Sequence, residues 1–375
     1  MNRWITVWDD HSGCRFVLLN TTPISSKERN DAYDCIKWSG QLLPRPKTTP
    51  KQKIDIPERR EERKNRMKEF KNKVIIGIDH GYGNIKTVNH VFKAGVLKSD
   101  TEPVFQTNML TYGGKYYLIG EGQKEFVADK ITDEEYFVLT LAGIAMELND
   151  YRLTDATVHL AAGLPLKWVS TQKKQFTDYL MRGPEMRFIF NKKSYHIRIS
   201  GVSMFPQGYA AIFDRATAMR GQTVLCDIGN GTMNILFMKD GKPNPQKAYT
   251  EKFGTAQCVN AVKTAVMDKY HVNIDEAVIE DVFRNGTADI SPDWLKTIRE
   301  VANGYVGKIF DILRRYDYEP ALMKLYIVGG GGALVRHFGS YDRNRVIIND
   351  DICATAKGYE KWAEHQLAKA DGNEC

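Results

Sequence analysis

From residue 74 onward the chain alternates short apolar runs with longer amphipathic stretches. Buried strands are predicted where apolar residues follow one another and Gly or Pro borders the run, at 74–78, 158–161, 223–226 and 325–328. Helices are predicted where apolar positions recur every three to four residues, at 257–270 and 293–316. Strands that alternate with helices in this way are typical of an α/β fold with mixed sheets.

Two of the predicted strands are each followed by a turn of the same sequence pattern. Residues 76–84 read IGIDHGYGN and residues 224–232 read VLCDIGNGT, so in each an Asp ends a strand and glycines follow at alternate positions. The two acids, Asp79 and Asp227, lie roughly 150 residues apart, which is the length of a domain. This internal echo predicts two similar lobes, each presenting one turn to a shared cleft.

These turns have the chemistry of a phosphate site. Glycines let backbone N–H groups approach a ligand closely, so we expect both turns to contact phosphate, through Gly81, Tyr82, Gly83, Asn84, Gly229, Asn230, Gly231 and Thr232. Asp79 and Asp227 repel phosphate, but they can hold a hydrated Mg²⁺ whose waters bridge to it. Lys86 is near enough to reach a β- or γ-phosphate. A single turn of this kind is also typical of an ordinary hairpin, and the duplication favours the phosphate site.

A third glycine element follows the strand at 325–328. Gly329, Gly330, Gly331 and Gly332 precede a predicted helix start, where free amides could receive the adenosine end of a nucleotide. Each glycine costs about 1 kcal/mol against alanine in regular structure, so the run requires either a tight turn or a ligand close to the backbone. We favour the ligand.

Gln207 is the candidate for controlling attack on the γ-phosphate. It lies in the segment 201–209, where a strand passes into a helix beside Pro206. An amide has no useful proton affinity, but it can orient a water molecule in line with the phosphate, and that predicts hydrolysis. The alternative interpretation is a polar residue that caps the helix.

The three glycine motifs, in their order and spacing, resemble those of the actin, sugar-kinase and heat-shock-chaperone ATPase superfamily over about residues 74–363. Residues 79–86 look like the first phosphate motif, 227–232 like the second, and 329–332 like the adenosine motif. The resemblance implies two related lobes, each with a mixed five-stranded sheet flanked by helices, around a cleft for ATP and Mg²⁺. It also implies that Asp79, Asp227 and Gln207 are catalytic, with both acids holding the metal through water.

By the same resemblance, Lys252 approaches the ribose and base, although an exposed lysine on a loop is the competing interpretation. Residues 162–165 and 205–209 are similar to the ParM-like plasmid-segregation actins. That group implies a homopolymeric filament that assembles with ATP, turns over by hydrolysis and moves plasmid DNA through an adaptor bound to it. Two features depart from the pattern: some members carry Glu at the position of Gln207, and the extension before Met67 is unusual.

The predicted organisation has four parts. Residues 1–70 form an extension, either disordered or not native, with a suggested hairpin and most of the basic linker stretch at 47–73. The functional domain opens near Met67. Residues 71–221 form lobe I and 222–340 form lobe II. Residues 341–375 return to lobe I and pack a helix on it.

The composition of the chain limits the kinds of partner and the cellular compartment that we expect. The net charge of +7 is modest, and Glu58, Glu61, Glu62 and Glu69 interrupt the basic stretch, so an adaptor is favoured over direct DNA binding. No run approaches the roughly 20 apolar residues of a membrane span, and the start lacks the pattern of a secretory signal. The six cysteines are scattered and receive no role. We therefore expect a cytoplasmic protein without membrane attachment.

Two other functions stay open at this point. A small-molecule, sugar-type kinase of the same superfamily would pass the phosphate to a hydroxyl, and it needs a nearby carboxylate, for which Asp214 is the candidate. A non-segregating actin-like scaffold would use ATP to fix the lobe geometry. An amphipathic tail would support the scaffold, but 357–375 lacks a strongly apolar face.

Overall fold

The computed structural model describes residues 3–7, 15–19, 67–104, 106–122, 134–183 and 185–372. The chain divides into two compact units, Met1–Glu62 and Arg63–Cys375. In the first unit, β1 (Arg3–Val7) pairs with β2 (Arg15–Leu19) in antiparallel fashion, as the suggested hairpin requires. Residues 47–66 of the predicted basic linker lie outside the described residues.

The first sheet of the second unit has ten strands. They are β3 (Lys68–Phe70), β4 (Lys73–His80), β5 (Asn84–Lys86), β6 (Val91–Lys93), β7 (Val96–Ser99), β8 (Met109–Tyr112), β9 (Lys115–Ile119), β10 (Asp155–Leu164), β11 (Glu185–Phe190) and β12 (Lys193–Pro206). Their order is β6-β5-β4-β10-β12-β11-β8-β9-β7, with β3 also paired to β4. The central pairs β4–β10 and β10–β12 are parallel, and the outer pairs are antiparallel.

This sheet is larger than the five strands predicted for lobe I. The additional strands are short antiparallel segments of three to five residues with little apolar alternation, such as β6 and β7. Hairpin partners hold such segments in place rather than their own pattern, so the sequence signal is weak. The structure also places Lys68–Phe70, which the prediction assigned to the linker, in the sheet as β3.

The second sheet has the five strands predicted for it. They are β13 (Gln222–Ile228), β14 (Met233–Lys239), β15 (Lys242–Glu251), β16 (Lys324–Val328) and β17 (Val346–Ile348), in the order β15-β14-β13-β16-β17. The pairs β13–β16 and β16–β17 are parallel, and the other two pairs are antiparallel. Two mixed sheets flanked by helices confirm the predicted α/β class. The boundaries proposed between the lobes stay predictions.

Eight α-helices and one 3-10 helix accompany the sheets in the described part of the chain. They are α1 (Glu134–Asp150), α2 (Leu166–Leu180), the 3-10 helix (Tyr209–Ile212), α3 (Phe213–Ala216), α4 (Thr255–Tyr270), α5 (Glu276–Asn285), α6 (Pro292–Arg315), α7 (Gly331–Phe338) and α8 (Ala354–Gly372). The helices predicted at 257–270 and 293–316 are confirmed as α4 and α6 within one or two residues. Among these described helices, none combines the length and the apolar character needed to cross a bilayer.

Alternate side chains of a strand point to opposite faces of the sheet, and in both sheets both faces are buried. On β4, Ile76 and Ile78 join the large cluster that contains α1, whereas Ile75 joins a smaller cluster with Tyr359 of α8. Cys226 of β13 faces the cluster of α4 and α6, and its neighbour Leu225 faces the opposite side. This double burial explains why both strands are continuous apolar runs in the sequence.

The 3-10 helix lies between the two sheets. Its residue Ala210 packs in the small cluster of the first sheet, with Ile75 and Tyr359. Two residues later, Ile212 packs in a cluster of the second sheet, with Leu225 and Leu236. This turn directly follows Gln207, so the position of Gln207 depends on both sheets.

Helix α8 carries a buried acid against β4. The Glu360 side chain is 6% exposed, and its Oε1 accepts a hydrogen bond of 3.1 Å from the backbone N–H of Gly77. Burial raises the pKa of Glu360 to about 8, with a further contribution from Glu147, although the Gly77 N–H favours the charged form. Protonated Glu360 is therefore the form that folding favours.

We expect this acid to make stability pH-dependent. Because its pKa is raised in the folded protein, its contribution is complete below the ordinary value of 4.5 and is lost as pH rises through about 8. Glu360→Gln keeps an acceptor for Gly77 and removes the charge, so it should gain up to about 5 kcal/mol over the parent at alkaline pH and little at acidic pH. Chemical denaturation across pH measures this. Glu300→Gln, at an exposed acid of α6, is the control, and equal pH slopes for parent and Glu360→Gln would contradict the prediction.

Candidate functional site

The two Asp-ended strands lead into one cavity of about 1260 Å³. Fifteen predicted site residues line it: Asp79, Gly81, Tyr82, Gly83, Asn84, Lys86, Gln207, Asp227, Gly229, Asn230, Gly231, Thr232, Lys252, Gly329 and Gly330. The structure therefore brings together residues from five separate stretches of the chain. A cavity of this size can hold a nucleoside triphosphate.

Asp79 and Lys86 face each other across the first turn. They are directly opposed in the antiparallel pair of β4 and β5, and the Lys86 Nζ donates a 3.2 Å hydrogen bond to Asp79 Oδ2. Burial alone would lower the pKa of Lys86, but the carboxylates of Asp79 and Asp227 outweigh it, and the pKa is raised. Lys86, whose side chain is 15% exposed, thus holds a fixed positive charge in the cavity wall.

Asp227 is the last residue but one of β13, with only 7% of its surface exposed. Burial first, and then the nearby Asp79 carboxylate, raise the pKa of Asp227 to about 6, while Lys86 acts in the opposite direction. Two carboxylates share one lysine here, so the site has an excess of negative charge. That donor set fits a hydrated divalent cation. Across the described residues, no third His, Cys, Asp or Glu joins them in a group that could hold a metal ion.

The two phosphate turns touch each other. A Cβ on Gly83 would lie 2.4 Å from the side-chain Nδ2 of Asn230, so only glycine allows the turns to come this close. The second turn is also anchored to α4, because the carbonyl groups of Gly229 and Asn230 accept hydrogen bonds of 3.0 and 2.9 Å from the first amides of that helix. The contact leaves both glycine turns facing the same space.

Gln207 is hydrogen-bonded to Asp79, and the residue after it approaches Asp227. Its Nε2 donates a 3.0 Å hydrogen bond to Asp79 Oδ1, which leaves its Oε1 as an acceptor for another donor. Its backbone N–H donates to the Leu164 carbonyl at 2.8 Å. The next residue, Gly208, has φ of +75°, and a Cβ there would lie 3.0 Å from Asp227 Oδ2. The turn therefore requires glycine, and it places Gln207 within hydrogen-bond distance of Asp79.

The third glycine element divides into two roles. Gly329, at φ +85°, and Gly330 line the cavity. Gly331 and Gly332 do not, because they form the first turn of α7 and pack against Ile228 and Ile348. A Cβ on Gly331 would lie 2.3 Å from Ile228 Cγ2, so tight packing explains that glycine without a ligand.

Sequence reasoning missed the residues at another part of the cavity wall. Glu280, Phe283 and Arg284 reach it from α5, and Arg336 and His337 reach it from α7. His337 Nε2 and the Arg284 carbonyl oxygen are 3.0 Å apart, so the two helices meet there. Cationic and aromatic planes of this kind suit a nucleobase. These residues lie on amphipathic helices without a short motif, and no sequence signal identified them.

Asn234 and Thr250 were also missed. Strand register places Asn234 directly opposite Asp227 on one side and opposite Thr250 on the other, so the three side chains form a row on one face. The Thr250 hydroxyl donates a 2.8 Å hydrogen bond to Asn234 Oδ1. Beside this row, Gln207 and Gly208 help to enclose a cavity of about 20 Å³. That space can hold one water molecule with polar partners on its wall.

A sequence signal for Asn234 did exist. Lys86 follows Asp79 by seven residues, and Asn234 follows Asp227 by the same number. Extending the echo between the two turns by two residues aligns the lysine with the asparagine.

We expect Asn234→Ala to lower nucleotide hydrolysis about tenfold, with nucleotide affinity nearly unchanged, because the row would hold a water less well. Single-turnover phosphate release measures it. Thr250→Val should give a smaller loss, and full activity of Asn234→Ala would contradict the prediction.

Comparisons with known proteins agree with this geometry. Residues 77–209 match the family described as the N-terminal domain of actin-like proteins. The structure is similar to that of an archaeal actin homolog, Ta0583, with a TM-score of 0.62 and 17% identity over 78% of this chain and 99% of that one. The chain therefore has an actin-like fold, as its glycine motifs predicted.

The same comparison extends to ParM proteins. Bacillus thuringiensis ParM with ATP aligns with a TM-score of 0.60 and 13% identity, over 79% of this chain and all of that one. The Alp12 filament structure aligns with a TM-score of 0.59 and 17% identity, over 79% of this chain and 99% of that one. No curated protein matches the sequence. The fold is thus of the ParM type.

Proposed function

We propose that the protein is an ATPase that polymerises with Mg-ATP into dynamic filaments and segregates plasmid DNA through a DNA-bound adaptor. One observation carries the ATPase part: Asp79, Lys86, Gln207 and Asp227 converge on a single cavity lined by two glycine turns. Filament turnover would be timed by hydrolysis. The cytoplasm is the compartment we infer for it.

The proposal gives each group a role toward ATP. The turns at 81–84 and 229–232 contact the phosphates through amides other than those of Gly81 and Gly229, which donate to the Asp79 and Thr232 carbonyls at 3.0 and 2.9 Å. Lys86 neutralises charge on the phosphates, and Gly329 and Gly330 lie toward the adenosine. Lys252 is the proposed contact with the ribose or base. Mg²⁺ held by Asp79 and Asp227 through water would stabilise the charge that develops on the phosphate oxygens.

Hydrolysis requires a water in line with the phosphate. Gln207 already uses its NH₂ group on Asp79, so its Oε1 is the group that accepts a hydrogen from that water. Asp227 and Asn234 line the 20 Å³ space beside Gln207. The amide orients the water and does not take its proton, so the site promotes phosphoryl transfer by positioning and electrostatics.

The filament and the cargo rest on similarity. ParM and the Alp12 filament protein share this fold with the chain, and this similarity is the reason for proposing self-assembly. The adaptor is proposed because the basic stretch at 47–73 is interrupted by acids, which disfavours direct binding to DNA.

One observation argues against the sugar-type kinase. Asp214, its candidate base, forms an ion pair with Lys361 of α8, and it is absent from the residues that line the cavity. A general base must lie within hydrogen-bond reach of the hydroxyl it activates. Gln207, which does face the site, cannot take that proton.

Right-angle light scattering with pelleting tests the proposal. The purified protein is mixed with Mg-ATP, Mg-ADP or a non-hydrolysable ATP analogue, and phosphate release is followed in parallel. We expect scattering to rise with Mg-ATP and later decay, and to persist with the analogue. No assembly under any nucleotide, with phosphate transfer only to a small hydroxylated substrate, would refute the filament and favour the kinase.

A further inference from the structure

Trp362 of α8 lies between two aromatic rings that flank the Gln207 turn. Its ring stacks on Phe205 at a centroid distance of 4.7 Å and on Phe213 at 4.8 Å, with interplanar angles of 25° and 14°. Tyr209 meets the same indole edge-on at 5.7 Å. Phe205 comes two residues before Gln207, and Phe213 comes six residues after it. One indole therefore holds both ends of the turn.

The backbone of α8 reinforces this contact. A Cβ on Gly358 would lie 2.0 Å from the Ala210 carbonyl oxygen, so the helix and the 3-10 turn touch main chain to main chain. Lys361 also pairs with Asp214 of α3. Contacts at Gly358, Lys361 and Trp362, on two successive turns of α8, thus hold residues 205–214 to one helix face.

The second sheet holds the opposite side of the same segment. The Tyr209 hydroxyl donates a 3.0 Å hydrogen bond to the Gly241 carbonyl, in the turn between β14 and β15. A Cβ on Gly241, at φ +74°, would lie 1.8 Å from the Ala216 carbonyl oxygen. The segment is clamped between α8 and that turn.

Helix α8 also fixes the strand that carries Asp79. A Cβ on Gly77 would lie 2.1 Å from the Ala356 carbonyl oxygen, and Gly77 precedes Asp79 by two residues. The same helix therefore sets the strand of the acid and the turn of the amide. Their separation is defined by the 3.0 Å hydrogen bond between Gln207 and Asp79.

We propose that Trp362 is a positioning residue for hydrolysis, which acts by stacking between Phe205 and Phe213 to hold Gln207 against Asp79. This inference rests on the proposed function for its catalytic readout. Trp362 lies outside the cavity wall, so it acts through the turn and makes no contact with nucleotide. Loss of its ring would displace the amide and leave the phosphate turns in place.

The test compares Trp362→Leu, which removes the stack, with Trp362→Phe, which retains an aromatic face. Trp294→Leu is the matched control, because Trp294 is also half-buried and stacks on Tyr270 at 5.5 Å, in the second sheet's domain. We expect Trp362→Leu to lower kcat for Mg-ATP at least about tenfold with KM within about threefold, since small misplacements of a positioning group slow chemistry strongly. Trp362→Phe should recover most of kcat, and Trp294→Leu should keep it.

Hydrogen–deuterium exchange supplies a readout that does not depend on activity. Amides of residues 205–213 should exchange faster in Trp362→Leu than in the parent and in Trp294→Leu, while residues 229–232 stay unchanged. Normal exchange at 205–213, or a kcat loss equal to that of Trp294→Leu, would overturn the proposal. If the parent releases no phosphate, the proposed function fails, and the exchange data still decide whether Trp362 positions the turn.

Discussion

Gln207→Ala is expected to reduce phosphate release about a hundredfold while leaving nucleotide binding and assembly intact. The side chain bonds Asp79 at 3.0 Å and presents its remaining acceptor to the cavity, so its loss removes the group that orients water. It does not remove Lys86 or either glycine turn, the groups proposed to contact the phosphates. Filaments formed with Mg-ATP should then persist, because the step that times their disassembly is slowed.

Phosphate release and the decay of light scattering, recorded on the same sample, check this result. Gln246→Ala is a suitable control because Gln246 is an exposed glutamine on β15, outside the cavity wall. Rapid phosphate release by Gln207→Ala would mean that another group positions the water. Loss of both assembly and hydrolysis would mean that Gln207 is required for the arrangement of the cavity instead.

Asp227→Asn should have two opposite effects, a more stable protein without nucleotide and a loss of magnesium-dependent nucleotide binding. The pKa of Asp227 is raised from 3.8 to about 6, so its stabilising contribution is complete below pH 3.8 and is lost as pH rises through about 6. At neutral pH the buried charge is a cost, and that difference corresponds to about 3 kcal/mol. Asparagine keeps the shape and removes the charge.

Thermal unfolding of parent and variant, with and without Mg-ATP, separates the two effects. We expect Asp227→Asn to melt higher than the parent above about pH 7 without nucleotide, with the difference shrinking toward about pH 4. Mg-ATP should raise the melting temperature of the parent and not of the variant. Asp240→Asn, in the exposed turn before β15, is the control. A variant that is less stable than the parent at neutral pH would contradict the charge-burial argument.

The sequence predicted those parts of the site that depend on local chemistry. Asp79 and Asp227 were identified because a buried strand, an acid and glycines follow one another without interruption. Gln207 was identified from the Pro-Gln-Gly junction between a strand and a helix. In each case the residues that act together are neighbours in the chain, so a local pattern reports them.

What the sequence did not predict depends on register and on helix faces. Asn234 belongs to the site because β13 and β14 pair Asp227 with it, and that pairing is not contained in either strand alone. Arg284 and Arg336 reach the same cavity only after α5 and α7 pack. Gly331 and Gly332 look like ligand-binding residues in the sequence, but their missing side chains make room for Ile228 and Ile348.

The course of synthesis follows from the place of α8. The second sheet is built from one continuous stretch, β13 to β17, and can form as soon as that stretch has left the ribosome. The first sheet, β3 to β12, is continuous as well, but one of its faces stays uncovered, because Glu360 and Tyr359 pack on β4 from far along the chain, with Gly77 and Glu360 separated by 283 residues. Until α8 emerges, Ile75 and Phe205 face solvent as an apolar surface. A nascent chain stalled before α8 is therefore the form of this protein that chaperones would have to hold.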